Sequence, residues 1–332
     1  MTRFADELSS CRFPASVADW TRRGIPRTTL TGPRFTRTAY GWYRRAGPPR
    51  STAQRILDAL AGQVDGALIA GWAAAYVHGV DLLDGLDDHT MAPLPVPVLL
   101  PPGQRRRSTR HIQYRQSRRP AHQERIERVP VTTLFRAALD LALLAPELTE
   151  AVVALDAVLA SRLLAHQRLQ RVAADLPRRR GVRQARRAIE LARIGVRSPW
   201  ESRSRMFAET ELAWTDLQPN RAVFDHRGNL LGIPDLLDVE AGLVLEYDGA
   251  SWRTERSTGH RDLAQHREDN EREERLERAG LVVVRVAKAD LTRYRDRLAL
   301  RLTAAHAEGL GRDRARDRWT LEEPAGWFGQ PA

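Results

Sequence analysis

Three carboxylates in the segment Gly232 to Gly249, GIPDLLDVEAGLVLEYDG, have the spacing that chemistry on a phosphodiester needs. Two strand-like runs flank Glu240 and Ala241. A hairpin turn centred between those two residues makes cross-strand partners sum to 481, so Asp235 falls directly opposite Glu246, and Asp248 shares the Glu246 face. Alternate residues of a strand point the same way, and opposed pairs sit about 4.5–5.5 Å apart at Cβ. Like charges so placed repel. A divalent cation such as Mg²⁺ or Mn²⁺, which takes carboxylate oxygens and keeps waters for chemistry, is the usual reason a fold tolerates them. An exposed hairpin with ordinary solvated acids is the plainer alternative.

The elements around the hairpin must position these groups. Ser198-Pro199-Trp200-Glu201 opens a helix to about Trp214, a strand RAVFD follows at Arg221 to Asp225, and the two hairpin strands come next. A long helix is predicted from Arg261 to Ala279, stopped by Gly280, and LVVVRVA at Leu281 to Ala287 reads as a nearly fully apolar, buried strand. A last helix starts near Asp290. The order α-β-β-β-α-β-α predicts an α/β sandwich around a central mixed sheet. Along Leu243 to Asp248, Leu243, Leu245 and Tyr247 face the core, whereas Val244, Glu246 and Asp248 face the site.

The helix at Arg261 to Ala279 has apolar residues, Leu263 and Leu276, at its ends only. Glu268 with Arg272, Glu271 with Arg275 and Glu274 with Arg278 are acid-before-base pairs at i and i+4, each contributing about 0.2–0.5 kcal/mol on an exposed face. The opposite face carries His266, Asp269, Asn270 and Glu273. Burial of that face against a dry core would cost a few kcal/mol per unpaired group, so it is expected to border a wet, charged cleft. A helix lying mostly in solvent is the alternative.

Residues 198 to 290 resemble the PD-(D/E)xK nuclease superfamily, in its very-short-patch-repair-endonuclease-like branch. The resemblance rests on Pro234-Asp235, on Glu246-Tyr247-Asp248-Gly249, on HREDNEREERLERAGLVVVRV from His266 to Val286, and on SPWES around Glu201. It implies a restriction-endonuclease-like α-β-β-β-α-β sandwich with Asp235 and Glu246 as metal ligands, Asp248 as a ligand or site carboxylate, and Glu201 and Asp269 as supporting acids. His266 is the candidate general base; a residue of the helix face is its plainer reading. Ser198 and Glu201 also form a capping box with proline at the first helical position, which by itself accounts for Glu201. The sequence departs from the superfamily at two positions. Where a lysine often follows the hairpin glutamate by two residues stands Asp248, and where the branch carries histidine stands Trp252, which neither ligates metal nor takes a proton. Two functional classes follow: a metal-dependent DNA endonuclease using Mg²⁺ or Mn²⁺, or a catalytically impaired DNA-binding regulator or antitoxin-like protein of a toxin–antitoxin or defence system.

The remainder of the chain frames this module. Its 332 residues allow two or three domains. The single cysteine, Cys11, excludes internal disulfides and fits a reducing cytoplasm. No secretory signal pattern opens the sequence, and its longest apolar run, Ala67 to Val77, is too short for a bilayer, so no membrane partner is expected. A formal charge of +11 points to a polyanion, most simply DNA, although an arginine-for-lysine bias in which Lys288 is the sole lysine also follows from a GC-rich genome. Dense arginine tracts at Pro101 to Arg119 and Pro177 to Arg187 could contact phosphates or simply be solvated. Arg285 and Arg272 are candidates for the electrostatic role of the missing lysine.

Residues 1–46 read as two short helices, Ala15 to Arg23 and Ile25 to Leu30, followed by a basic, aromatic hairpin at Phe35 to Arg45. This helix-turn-helix with a wing resembles the N-terminal region of AbiEi-type antitoxins; an adaptor packed on the next domain is the alternative. Residues 47–50, with Gly47-Pro48-Pro49, read as a linker. Residues 51–195 are expected to be a mainly helical middle domain with strands at Pro95 to Leu100 and Ile112 to Gln116 and helices at Ser51 to Leu60, Thr132 to Leu144 and Leu148 to Leu164. Arg136 and Asp140 have the spacing of a helix pair. Residues 196–310 form the nuclease-like domain, and 311–332 a polar tail.

Overall fold

A computed structural model of the chain describes residues 2–47, 51–116, 122–248 and 270–327. The chain divides into two compact units, Met1–Ala192 and Arg193–Ala332. Among the described residues, no helix is long and apolar enough to cross a membrane.

The first unit opens with α1 (Arg3–Ser10), β1 (Ala15–Ser16), α2 (Val17–Arg22), α3 (Arg27–Leu30), β2 (Phe35–Ala39) and β3 (Trp42–Arg45), with sheet order β1-β3-β2. The two helices start later than their sequence suggests. Ala15 and Ser16 pair with Tyr43 and Trp42 as a strand, and a capping box between Ser16 and Asp19 starts α2. Pro26 disfavours helical backbone at Ile25 and itself caps α3. Gly41, at φ +71°, turns the hairpin. Trp20, Leu30 and Ala15 form a small core, and Trp20 Nε1 donates to the Tyr43 carbonyl at 2.9 Å.

The same unit continues through α4 (Thr52–Leu60), β4 (Leu68–Ile69), α5 (Gly71–His78), β5 (Val96–Leu100), β6 (Ile112–Gln116), β7 (Gln123–Ile126), β8 (Val129–Thr132), α6 (Leu134–Leu144), α7 (Leu148–Ala160), α8 (His166–Ala173) and α9 (Val182–Leu191). β5 and β6 lie where the sequence puts them, but they belong to a five-stranded sheet of order β6-β5-β4-β8-β7. β4, at two residues, is too short to show a period, and β7 is polar and exposed, so neither reads as a strand in the sequence. Phe4 and Cys11, from and just after α1, are buried in one core with Ile56 of α4, Tyr76 of α5 and Val98 of β5. Arg136 and Asp140 pair at 2.8 Å along α6.

The second unit contains α10 (Pro199–Glu211), β9 (Gln218–Pro219), β10 (Val223–Phe224), β11 (Leu230–Gly232), β12 (Leu236–Asp238), β13 (Leu243–Asp248), a helix α11 over residues 270–278, β14 (Val282–Ala287), α12 (Lys288–Thr292) and α13 (Arg295–Leu310). A mixed four-stranded sheet of order β14-β13-β12-β9 is at its centre, with β13 antiparallel to β12 and parallel to β14. The predicted strand within RAVFD does form, as β10, yet it pairs with β11 in a separate two-stranded ribbon rather than joining that sheet. β14 is an edge strand among the described residues, with only Val286 buried, where its apolar run predicted full burial.

Helices cover both faces of the sheet. Trp200 and Phe207 of α10 and Leu298 and Leu302 of α13 pack with Leu243 and Leu245 on one face. Leu276 of α11 packs with Leu237 and Val244 on the other. The alternation along β13 is as expected, but the Val244 face is a second core rather than an open site. Residues 311–327 do not form a simple polar tail: Trp319 and Leu321 pack against that second core, and Thr320 exchanges backbone hydrogen bonds with Phe224 at 2.8 and 2.9 Å.

Candidate functional site

Strands β12 and β13 pair Leu236 with Leu245, Leu237 with Val244 and Asp238 with Leu243, the register that the hairpin sequence implies. Asp238 fixes the turn by accepting the Ala241 N–H at 3.0 Å, and Gly242 leaves it at φ +60°. Continued by one residue, this register sets Asp235 against Glu246. The Asp235 carboxylate reaches across the ladder, where Oδ2 accepts the Tyr247 N–H at 2.8 Å.

Glu201, in the first turn of α10, is brought to the same place. Glu201 is 5% exposed, and its Oε2 accepts the Arg197 N–H at 2.9 Å and the Asn220 side-chain amide at 2.7 Å. Burial, and then the neighbouring Asp235 charge, push its pKa up to about 7. Only half of the expected capping box is present: Ser198 Oγ accepts the Glu201 N–H at 3.1 Å, while the Glu201 carboxylate turns to the Arg197 N–H rather than back to Ser198. Capping does not explain the carboxylate, which faces Asp235's field. Asn220 ties the two acids together: its backbone N–H donates to the Asp235 carbonyl at 3.1 Å while its side chain holds Glu201. It does so at φ +50°, a left-handed conformation that asparagine tolerates better than most residues. Nothing in the sequence marked Asn220 beyond its place before a strand.

Glu246 is half-buried on β13, and Oε2 lies 3.0 Å from Arg272 Nη2. Arg272, expected on the exposed face of its helix and also named as a candidate cation for the site, points inward to a strand carboxylate. Arg275 likewise turns to the Leu231 carbonyl at 3.1 Å, while Glu274 and Arg278 keep the exposed pair expected of them at 2.7 Å. Arg285, opposite Glu246 in the parallel β13–β14 register, binds Glu273 and donates to Asn270 Oδ1 at 2.8 Å. Both polar residues thus meet a charged partner rather than a dry core. Asp248 lies exposed at the end of β13. His266, Asp269 and Trp252 lie outside the described residues.

Glu201 and Asp235 therefore come together at the mouth of the β12–β13 ladder, while Glu246, on the sheet face that α11 covers, engages Arg272, and Asp248 is exposed at the end of β13. Among the described residues no three His, Cys, Asp or Glu side chains are gathered as a metal-holding group. The donor chemistry nevertheless suits Mg²⁺ or Mn²⁺: carboxylate oxygens are the hard ligands these ions take, and Mg²⁺ commonly uses only one or two of them together with waters and substrate phosphates. Burial is the larger cause of the raised Glu201 pKa, and the repulsion from Asp235 that adds to it is the kind that such an ion relieves. Trp200 stacks on Tyr247 with ring centroids 5.5 Å apart, and Lys288 Nζ lies 5.6 Å from the Trp200 ring, so the chain's lysine borders the same end of the sheet from α12.

In comparisons with protein-family models, curated proteins and solved structures, nothing matches this chain.

Proposed function

We propose that the second unit is a metal-dependent phosphodiesterase acting on nucleic acid, most simply a DNA endonuclease of the PD-(D/E)xK kind. The observation that carries this is the proximity of Asp235 to a Glu201 carboxyl whose pKa is pushed up to about 7 by burial and by Asp235, with Glu246 on the neighbouring strand. Asp235 and Glu246 would hold Mg²⁺ or Mn²⁺, which when bound supplies Lewis-acid stabilisation of the charge developing on the phosphoryl oxygens. Glu201 is poised to gain or lose a proton near neutral pH, as a general base beside a reacting water requires. Asn220 and the Tyr247 N–H fix the orientation of the two acids. The first unit supports the nucleic-acid half of the proposal: its element order and β1-β3-β2 sheet suit a winged helix, and Arg22, Arg23 and Arg27 are exposed on α2, the turn after it and α3. One observation favours a second class, a DNA-binding regulator or antitoxin-like protein without activity: Arg272 already places a cation on Glu246. Calorimetric titration of Mn²⁺ and Mg²⁺ into the wild type and Asp235→Asn separates the two. Binding lost in the variant, together with divalent-dependent plasmid nicking, supports the enzyme; absence of both in the wild type supports the regulator.

A further inference from the structure

A cavity of about 270 Å³ in the first unit is lined by stretches far apart in the chain: Arg37 and Thr38 of β2, Arg55 and Asp58 of α4, and Arg110 and His111 just before β6. The hairpin and the first arginine tract, separate candidates for phosphate contact in the sequence, thereby face one space. The carboxylate in that lining is already engaged. Asp58 is buried, its Oδ1 lies 3.0 Å from Arg44 Nε, and it accepts from Gln54 Nε2 at 2.9 Å, so the surplus charge around the cavity is positive. Arg55 is braced by the Gly85 carbonyl at 3.1 Å and the Leu94 carbonyl, and its guanidinium carbon lies 5.3 Å from the Trp72 ring centroid. Arg37 and Arg110 are exposed and engage neighbours through Nε, Arg37 with the Ala39 carbonyl at 3.3 Å and Arg110 with His111 Nε2 at 3.0 Å. A guanidinium carries five N–H donors, so one such bond does not exhaust it.

We propose that this cavity is a seat for a phosphate ester, gripped from one side by Arg37 of the hairpin and from the other by Arg110, with Arg55 at its back. The volume admits a phosphate group with several waters, at about 30 Å³ per water. Braced guanidinium groups lose little side-chain freedom on binding, and their planar fork matches phosphate oxygens. The phosphate comes from a nucleic-acid backbone or from a free nucleotide. The proposal rests on the nucleic-acid half of the function proposed above and not on hydrolysis.

The test uses the full-length chain, its Arg37→Ala/Arg110→Ala variant, and an Arg125→Ala/Arg171→Ala control that removes the same charge from exposed positions away from the cavity. Fluorescence anisotropy follows a labelled DNA duplex across a salt series, and calorimetry follows adenosine monophosphate; circular dichroism checks that each variant is folded. A backbone phosphate in the seat lowers the slope of log K against log salt by about 0.9 in the cavity variant relative to the control, the loss of one phosphate contact. A free nucleotide in the seat instead gives adenosine monophosphate binding that the wild type and control share and the cavity variant loses. DNA bound with equal salt slopes in both variants, and no nucleotide binding specific to Arg37 and Arg110, overturns the seat alone. A wild type that binds neither probe overturns the seat and the nucleic-acid half of the proposed function together.

Discussion

Replacing Glu201 with glutamine should make the second unit more stable at neutral pH and remove a pH dependence that the wild type shows. The folded-state pKa of Glu201 is about 7 against an ordinary 4.5, so the native protein retains a proton that the unfolded chain releases between those values. Stability from this group is fully present below about 4.5, falls as pH rises to about 7, and is level above it. The difference amounts to about 3 kcal/mol at 1.36 kcal/mol per pKa unit, on the order of a hundredfold in the unfolding equilibrium. Glutamine keeps an oxygen to accept from Arg197 N–H and Asn220, and loses only the charge that Asp235 repels. Hydrogen exchange read by mass spectrometry on β12–β13 peptides of chelator-treated, full-length protein, corrected for intrinsic rates, measures this opening. Wild-type protection should decline across that window while Glu201→Gln stays flat. Parallel profiles for the two proteins would refute the assignment of a buried, repelled carboxyl at Glu201.

Four further outcomes are expected. Asp235→Asn and Glu246→Gln should each abolish divalent-dependent nicking with the fold intact, whereas Asp235→Ala should also lower stability by about 1–3 kcal/mol by stranding the Tyr247 N–H, read as a shift in the melting transition of the second unit. Arg272→Ala should raise Mn²⁺ affinity about two- to fivefold in calorimetry, the equivalent of losing a partly exposed ion pair worth about 0.5–1 kcal/mol; an unchanged affinity would mean that Arg272 does not compete with metal. Arg44→Met should cost the first unit about 3–5 kcal/mol in thermal unfolding, because Asp58 is left buried without its cation. Removing Met1–Gly47 should destabilise the rest of the first unit as well as weaken DNA binding, since Phe4 packs edge-on to Tyr76 with ring centroids 6.2 Å apart in a core shared with α4 and α5; a well-folded truncation with a sharp melting transition would show that this core stands without α1.

What was legible in the sequence is what local pattern encodes. A hairpin register follows from where the turn sits and from a side-chain period of two, so the pairing of Leu236 with Leu245, one residue short of Asp235 and Glu246, could be counted off the letters. Helix starts were legible where capping chemistry marks them, as at Ser198, and shifted where a short strand claimed the first residues, as at Ala15–Ser16. Sheet order was not legible. LVVVRVA has the composition of a central strand, yet its place at the edge is decided by which strands find partners across the chain. Nor were the two-residue strands β4 and β9, whose pairing is entirely non-local.

The site itself divides along the same line. The carboxylates on one hairpin could be assigned to one another because a single turn relates them, whereas Glu201's role depends on Asn220, a residue with no chemistry of its own and nineteen positions away. Arg272 shows the reverse error. Its i−4 acid and polar helix argued for solvent, but Leu276 on the same helix is buried against Leu237 and Val244, and that packing turns Arg272 toward Glu246. Local charge pairs contribute only about 0.2–0.5 kcal/mol, while burying a leucine contributes about 1.5–3 kcal/mol, so packing sets the helix's rotation and the charges settle for the partners that rotation offers. A basic residue in a helix rich in acid–base pairs is therefore located by the nearest buried apolar side chain, one turn away at Leu276, rather than by the acid that precedes it.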